Sequence, residues 1–449
     1  MTTQGELYKQ YRKSTPKIDG NEVKKLDRPL TVFGKIVSVL FMGLCIVIIW
    51  RFTVRSDHWY FLGGIMFVYL LIKEFFALLY FPCKKSLTKE YKVSAIITCY
   101  NEKPESVVSI FENIMDLDYP LYEVLFLDDG SKDPTAYEIA VSFAEVHQNT
   151  EGAPLFRIIR FKENRGKREV LIDGFKYANG DYIFLLDSDS EILPNALTEL
   201  LRPFEDEKTT SCVGDIGILN KNENFLTKLQ SISYYGSFQL GRAAQSVTGD
   251  VAICSGAFSI HKKAFITEHL SEFKKCEMFG INVSSGDDRS LTTFSKMSGG
   301  KTRYQSTAYC ETQVPSTWKE FQKQRRRWQR SAYIGSLRSI KNMFPKSLWH
   351  LFWVFGEVYF WLIATVIFIV SLLFHGFNIN FIDITIYFVV LMYKQNAFYM
   401  LYNPIRFLFV PVYFFVYGVS LAITRLYAAF TIKNDDWGTR IGKKKEART

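Results

Sequence analysis

Metal and disulfide frameworks are the first things this sequence lacks. Its seven cysteines, at 45, 83, 99, 212, 254, 276 and 310, form no CxxC pair, and six scattered histidines add no metal-ligand spacing. A structural zinc site and a cross-linked secreted scaffold are both unreadable from such a pattern. Reduced thiols in a cytoplasmic domain are the plain expectation. No internal repeat or low-complexity tract occurs, which removes solenoids and tail-like disordered proteins. A cleavable leader is not expected either: the first apolar run starts about 30 residues in, outlasts the usual leader core and ends without a small-x-small site.

What is present is segregation. Mean hydropathy is 0.00 over 449 residues, yet residues 30–50, 59–81, 348–374, 381–401 and 405–432 are apolar runs around a polar stretch of 82–346. About 20 helical residues cross a hydrocarbon core. The sequence therefore reads as an integral membrane protein with a soluble domain between two membrane bundles. Lys9, Arg12, Lys13, Lys17, Lys24, Lys25 and Arg28 precede the first run, and Arg440, Lys443, Lys444, Lys445 and Arg448 follow the last. Positive flanks place both ends, and hence the soluble domain, in the cytoplasm. An even number of crossings must then follow that domain. Residues 405–432 are expected to break or re-enter, because Pro404, Pro411 and Arg425 interrupt them. The net charge of +10 sits at the termini and on one helix, which favours anionic lipid and a diphosphate over nucleic acid.

From Lys92 onward, strand and helix patterns alternate: strands at 93–98, 122–127, 156–161 and 182–186, helices at 107–115, 136–147 and 167–178. This order predicts an α/β domain with a mainly parallel sheet, whose ligands bind at the carboxyl ends of the strands. Three loops fall there: Cys99-Tyr100-Asn101-Glu102, Asp128-Asp129-Gly130-Ser131 and Asp187-Ser188-Asp189. Taken singly, Asp-Asp-Gly-Ser is a common turn and Asp-Ser-Asp a solvated loop. Recurrence of carboxylates along one sheet edge points instead to hard oxygen ligands for a divalent ion that bridges a diphosphate. A departing nucleoside diphosphate needs its growing charge neutralised.

The series Thr98-Cys99-Tyr100-Asn101-Glu102, Asp128-Asp129-Gly130-Ser131, Asn164-Arg165-Gly166-Lys167-Arg168, Asp187-Ser188-Asp189, Gly286-Asp287-Asp288-Arg289 and Gln324-x-x-Arg327-Trp328 resembles processive family-2 glycosyltransferases of the GT-A fold. Within them the likeness is to hyaluronan synthases, through Ser285 to Thr292, Tyr304 to Ala308, Val314-Pro315 and the tail Phe430 to Arg440. The resemblance implies a GT-A domain inserted between N-terminal and C-terminal transmembrane bundles. It implies that Asp187 and Asp189 hold Mg²⁺ or Mn²⁺, and that Tyr100, Glu102, Asp129, Lys167, Asp187 and Arg327 bind the donor. Asp288 would be the catalytic base, Gln324, Trp328, Cys254 and Ser255 would meet the acceptor, and Trp437 and Thr439 would gate the site. The implied substrates are UDP-N-acetylglucosamine and UDP-glucuronate, and the partners a growing polysaccharide and membrane lipid. A chitin or poly-N-acetylglucosamine synthase, using one donor, is the alternative; a transporter or receptor with a nucleotide-sugar sensor domain is the rival from another class. Ala257, Cys276, Arg325-Arg326 and Gln329-Arg330 depart from the hyaluronan synthase pattern, all toward the acceptor side.

The expected division is a basic N-terminus at 1–29, two spans within 30–81, the catalytic domain at 82–315, an interfacial helix at 316–345, a membrane or re-entrant bundle at 346–432 and a cytoplasmic tail at 433–449. In the interfacial helix, Trp318, Phe321, Trp328, Ile334, Leu337 and Ile340 fall near one face and Lys319, Lys323, Arg325, Arg326, Arg330, Arg338 and Lys341 crowd the rest. Such a helix also suits a simple membrane-surface element. A glucuronate donor needs a cation within reach, and Lys262, Arg289 and Arg303 are the residues expected to supply one.

Overall fold

The computed structural model describes residues 7–11, 18, 20–26, 31–53, 60–275, 277–278, 281–282, 286–344, 346–375, 386 and 389–432. Ten strands occur among them: β1 Val93–Cys99, β2 Glu123–Asp128, β3 Leu155–Arg160, β4 Tyr182–Asp187, β5 Glu191–Ile192, β6 Thr209–Ile218, β7 Phe258–Lys262, β8 Glu277–Met278, β9 Ile281–Asn282 and β10 Lys301–Thr312. Eight form one sheet in the order β3-β2-β1-β4-β7-β6-β10-β5, and β8 pairs only with β9. β3, β2, β1 and β4 are mutually parallel, while β7 runs antiparallel between β4 and β6.

Side-chain parity builds the layers. In β1, Val93, Ala95, Ile97 and Cys99 face a core shared with Val107, Ile110, Phe111, Ile139 and Phe143. Ile96, with Leu125 and Leu127 of β2, faces the opposite core with Val170, Leu171, Phe175, Leu291 and Phe294. A strand covered on both faces must be apolar at odd and even positions alike, and β2 is buried throughout. Edge strand β3 is half-exposed. Helices Pro104–Met115, Thr135–His147 and Lys167–Tyr177 supply the covering layers. In the N-terminal segment, Tyr8 is buried on the domain, its ring 5.1 Å from Phe143 and 5.6 Å from His147.

A second core joins the flanking helices to this domain. Met42, Tyr69, Leu70, Trp353, Phe360, Leu391 and Phe398 pack with Ile232, Tyr235, Leu240 and Tyr309. Helices Val32–Thr53, Tyr60–Leu79 and Leu348–His375 hold 22, 20 and 28 residues. Among the described residues no helix is long and apolar enough to cross a membrane. The 405–432 run breaks into helices Pro404–Phe407, Val410–Val412 and Val419–Phe430 with a π-helical turn Tyr413–Gly418 between them. Prolines remove a backbone donor and clash with the preceding turn, which accounts for the interruptions.

The helix Trp318–Met343 differs from the two-faced pattern expected of it. Trp318, Trp328 and Ile340 are exposed, whereas Phe321, Ile334, Arg325 and Arg338 are buried. It is covered from several directions: Tyr333 donates its hydroxyl to the Arg425 carbonyl at 3.2 Å, and Arg338 Nη1 donates to Ser290 Oγ at 2.5 Å. A helix enclosed by other elements buries arginines wherever acceptors and aromatic faces receive them.

Candidate active site

The loops after β1, β2 and β3 are sewn together by backbone amides. Asn101 has φ 54°, a left-handed conformation that its short side chain tolerates. Its N–H donates to Ser131 Oγ at 2.8 Å, and its Oδ1 accepts from the Lys132 N–H at 2.9 Å. Asp129 accepts from the Arg165 N–H at 2.7 Å through Oδ1 and from the Gly166 N–H at 2.8 Å through Oδ2. That gives Asp129 a loop-organising task. Gly130, at φ 66°, lies so close to the β3 loop that a Cβ there would stand 2.6 Å from the Glu163 carbonyl carbon.

The carboxylates expected to serve a metal are neighbours. Lys167 Nζ lies 2.5 Å from Asp187 Oδ1 at the end of β4, and Thr312 Oγ1 donates to Asp189 Oδ1 at 3.4 Å from the end of β10. Burial first, and then the charge of Asp187, pushes the Asp189 carboxyl up to about 6, with Lys167 opposing. Burial followed by Asp189 and Asp187 pushes Glu102 up to about 7. Three carboxylates crowded into low dielectric resist joint ionisation unless a cation joins them. Among the described residues no group of three or more Asp, Glu, His or Cys could by itself hold a metal ion. Diphosphate oxygens would have to complete any coordination shell.

The other half of the site rides on helices. Gly286, at φ 88°, starts the helix Asp287–Met297, and a Cβ there would lie 2.1 Å from Ser331 Oγ on helix Trp318–Met343. Asp287 is buried against Arg168 Nε at 2.6 Å. Asp288 is pushed above the usual carboxylate range by burial, with Arg289 pulling the other way. The Cys254 turn packs behind it: the Cys254 N–H donates to Thr292 Oγ1 at 2.9 Å, Thr292 Oγ1 donates to the Asp288 carbonyl at 2.7 Å, and a Cβ on Gly256 would lie 4.0 Å from Asp288 Cβ. Ser255 accepts the Phe258 N–H at 3.2 Å in the same turn.

Arg327 spans the two halves. Burial disfavours its charge, and Asp187, Asp288 and Asp287 oppose that, so a guanidinium that stays protonated sits between Asp187 and the Asp287–Asp288 pair. Trp328 is 36% exposed, with the Arg325 guanidinium 4.4 Å from its ring. Gln324 Oε1 is buried without a hydrogen-bond partner among the described residues. Tyr100 is half-buried at the end of β1.

Two expected cations are misplaced. Lys262 pairs in register with Tyr182 at the start of β4, and its Nζ donates to the Glu207 carbonyl at 2.6 Å. Arg303 lies near the start of β10 and donates to the Ser246 carbonyl at 2.5 Å. Both sit at the amino end of the parallel strands, the far side of the sheet from Asp187. Arg289 stays beside Asp288. Trp437 and Thr439 lie outside the described residues. The Arg168–Asp287 pair and the burial of Arg242 have no local signal in the sequence; Arg168 and Asp287 stand inside the Asn164–Arg168 and Gly286–Arg289 motifs, but nothing along the chain joins them.

The family described as "Glycosyl transferase family 2" matches residues 94–270. The chain is 35% identical over 383 residues to "Hyaluronan synthase" of Streptococcus pyogenes serotype M1, covering 84% of this chain and 90% of that one. It is 27% identical over 457 residues to "Hyaluronan synthase 2" of Mus musculus, covering 91% and 82%. In structure it is similar to a mannosyltransferase of Pyrobaculum calidifontis, solved in complex with GDP-Man and Mn²⁺, with TM-score 0.55, 18% identity and coverage of 86% and 99%. That likeness shows the fold, an α/β glycosyltransferase of the GT-A type. With its identity to the streptococcal protein spread over most of both chains, the protein belongs to the hyaluronan synthase family of family-2 glycosyltransferases.

Proposed function

We propose that the protein is a membrane-embedded, processive, inverting glycosyltransferase that builds hyaluronan from UDP-N-acetylglucosamine and UDP-glucuronate and passes it outward through its own helices. The observation that carries this reading is the convergence of Asp187, Asp189, Arg327 and Asp288 in a member of this family. Tyr100, Glu102 and Asp129 surround the nucleotide, with Asp129 holding the loop in shape. The crowded carboxylates Asp187 and Asp189 fit a hard divalent cation, Mg²⁺ or Mn²⁺. When bound, the ion would neutralise the diphosphate as it departs.

Lys167 and Arg327 add fixed positive charge to the same leaving group. Asp288 accepts the proton of the acceptor hydroxyl, whose oxygen attacks the anomeric carbon opposite the diphosphate, so an α-linked donor yields a β-linked product. Its burial strengthens it as a base. Gln324, Trp328, Cys254 and Ser255 hold the acceptor sugar, with the exposed ring of Trp328 offering a stacking face. Trp437 and Thr439 close the site as a gate.

Membrane embedding is supported by the apolar surface. Val32, Phe33, Leu40, Val47, Leu373 and Phe430 are 70%, 73%, 69%, 65%, 76% and 88% exposed. Apolar exposure on this scale calls for lipid or protein cover. Basic termini keep the catalytic domain on the cytoplasmic side and suit anionic lipid.

The test uses purified full-length protein with Mg²⁺ or Mn²⁺. Long polymer is expected only with both donors, and UDP-N-acetylglucosamine alone should give short oligomers at most. Long, chitinase-sensitive polymer from that single donor would replace hyaluronan by chitin.

A further inference from the structure

Hyaluronan synthesis demands something that the residues above do not supply. A chain that alternates neutral and anionic sugars brings a carboxylate to the acceptor end at every second addition, and neither Lys262 nor Arg303 can meet it. Arg242 can. It closes the π-helical turn Gly236–Arg242 and is only 8% exposed. Its Nε donates to the Ile253 carbonyl at 3.3 Å, and Nη1 donates to the Ser237 carbonyl at 3.3 Å and to Ser237 Oγ at 2.8 Å. The Phe238 ring lies 3.9 Å beneath the guanidinium. Nη2 donates to nothing, and no carboxylate pairs with the group, among the described residues.

Interior charges are ordinarily paired, because an uncompensated one opposes folding. The surroundings of Arg242 carry charges of both signs, none of them, among the described residues, bonded to it. A Cβ on neighbouring Gly241 would lie 3.4 Å from Glu357 Oε1 and 3.5 Å from Lys73 Nζ. Glu357 already accepts from Gln245 Nε2 at 2.7 Å. Arg289, whose stem would lie 3.0 Å from a Cβ on Gly335, has Asp288, Glu357 and Arg242 as its electrostatic neighbours. Arg242, Lys73 and Arg289 thus gather near Glu357 and Asp288, with Glu74 also acting on Lys73.

Position favours the growing chain over the donor. Ile253, whose carbonyl Arg242 holds, precedes Cys254, and the Cys254 N–H is bonded one helical turn from Asp288. On the other side stand Lys73 and Glu357, which belong to the flanking helices Tyr60–Leu79 and Leu348–His375. Resting on the hyaluronan reading, we propose that Arg242, with Arg289 beside it, binds the carboxylate of a glucuronate at the acceptor end of the growing chain. The planar guanidinium suits a carboxylate, and its aromatic support and hydrogen-bonded Nη1 fix its plane while Nη2 stays available.

The test compares two oligosaccharide acceptors with the full-length protein in lipid nanodiscs. One ends in glucuronate; the other is the same oligosaccharide with that carboxyl reduced to an alcohol. Single transfer of N-acetylglucosamine from UDP-N-acetylglucosamine is followed for each. The wild type is expected to favour the glucuronate-ended acceptor in kcat/KM by about ten-fold or more, mostly through KM. Arg242→Gln should bring that ratio close to one, and Arg242→Lys, which keeps the charge but loses the planar fork, should retain only part of it.

A wild type without preference overturns the proposal. So does an Arg242→Gln protein that loses rate on both acceptors while keeping the ratio, since that is what a purely structural arginine would do. If Arg242→Gln does not accumulate as folded protein, Arg289→Gln decides: the ratio should fall at least a few-fold, and an unchanged ratio refutes the subsite. Failure of the wild type to use either acceptor would strike the hyaluronan reading itself, and this proposal with it.

Discussion

The two halves of the site are made in different ways. The half proposed for the donor is three consecutive loops of one parallel sheet, held by backbone amides and needing glycine at Gly130 and Gly166. The half proposed for the acceptor is a meeting of helices, Asp287–Met297 and Trp318–Met343, with the Cys254 turn, held by buried side chains. Loops pinned by their own backbone present one rigid mould, as a nucleotide used in every cycle requires. Helices joined by side-chain contacts can carry charges that await a changing chain end.

The largest effect expected of any single change falls on Asp288, the proposed base. Asp288→Asn keeps size and removes basicity, so polymerisation should drop by about 10²- to 10⁴-fold while UDP binding, measured by calorimetry, stays near wild type. With the native residue, rate should fall as pH decreases through a value above the ordinary carboxylate range, because the burial that raises the Asp288 pKa lets protonation begin earlier. Substantial polymer from Asp288→Asn would remove it from the role.

Next comes the ion pair that joins the halves. Arg168 and Asp287 are both about nine-tenths buried, and Arg168→Met would strand a carboxylate in the interior. Loss of about 3–5 kcal/mol is expected, read as a lower denaturation midpoint of the detergent-solubilised protein. Arg168→Met with Asp287→Leu should recover much of that stability, though not activity. A single variant as stable as wild type would show that the halves are not coupled through this pair.

Asp189→Asn tests the donor half by itself. Metal-dependent UDP binding should weaken by about 10- to 100-fold, whereas Asp288→Asn should leave it alone. Equal loss in both would erase the distinction between the halves.

The smallest effect concerns the sheet that both halves stand on. His261 is buried between Ser211 Oγ at 2.8 Å and Ser259 Oγ at 3.0 Å, and burial holds its pKa down, from 6.5 to about 3. The unfolded chain takes up a proton that the folded one refuses, so this contribution to stability is whole above about 6.5 and is lost as pH falls toward about 3. A thermal midpoint that declines with acidification over that window is expected, with a shallower decline in His261→Gln. Identical slopes would assign the acid sensitivity elsewhere.

These differences also explain what could be read in the chain. Helices expected at 107–115, 136–147 and 167–178 occur as Pro104–Met115, Thr135–His147 and Lys167–Tyr177, and strand 182–186 as Tyr182–Asp187. Buried parallel strands announce themselves as apolar runs, and their loops carry short motifs. The helix Trp318–Met343 was legible as a helix but not in its burial, since a 3.6-residue period marks one face and Arg325 and Arg338 are covered from others. The places of Lys262 and Arg303 are not legible because charge carries no address: strand direction alone sends them to the far end of the sheet.

By itself, then, the sequence determined what neighbours along the chain determine: the apolar runs, the alternation of strand and helix, the turn chemistry at Asp128 to Ser131, and through its motifs the glycosyltransferase family. Only the tertiary structure decided which charges meet. Arg168 reaches Asp287 and Arg338 reaches Ser290 from far along the chain, while Arg242 is left buried among Lys73, Arg289 and Glu357. The reason is physical: backbone propensity and hydrophobic period act over a few residues, whereas the pairing of a buried charge depends on whatever the fold places within a few ångströms of it.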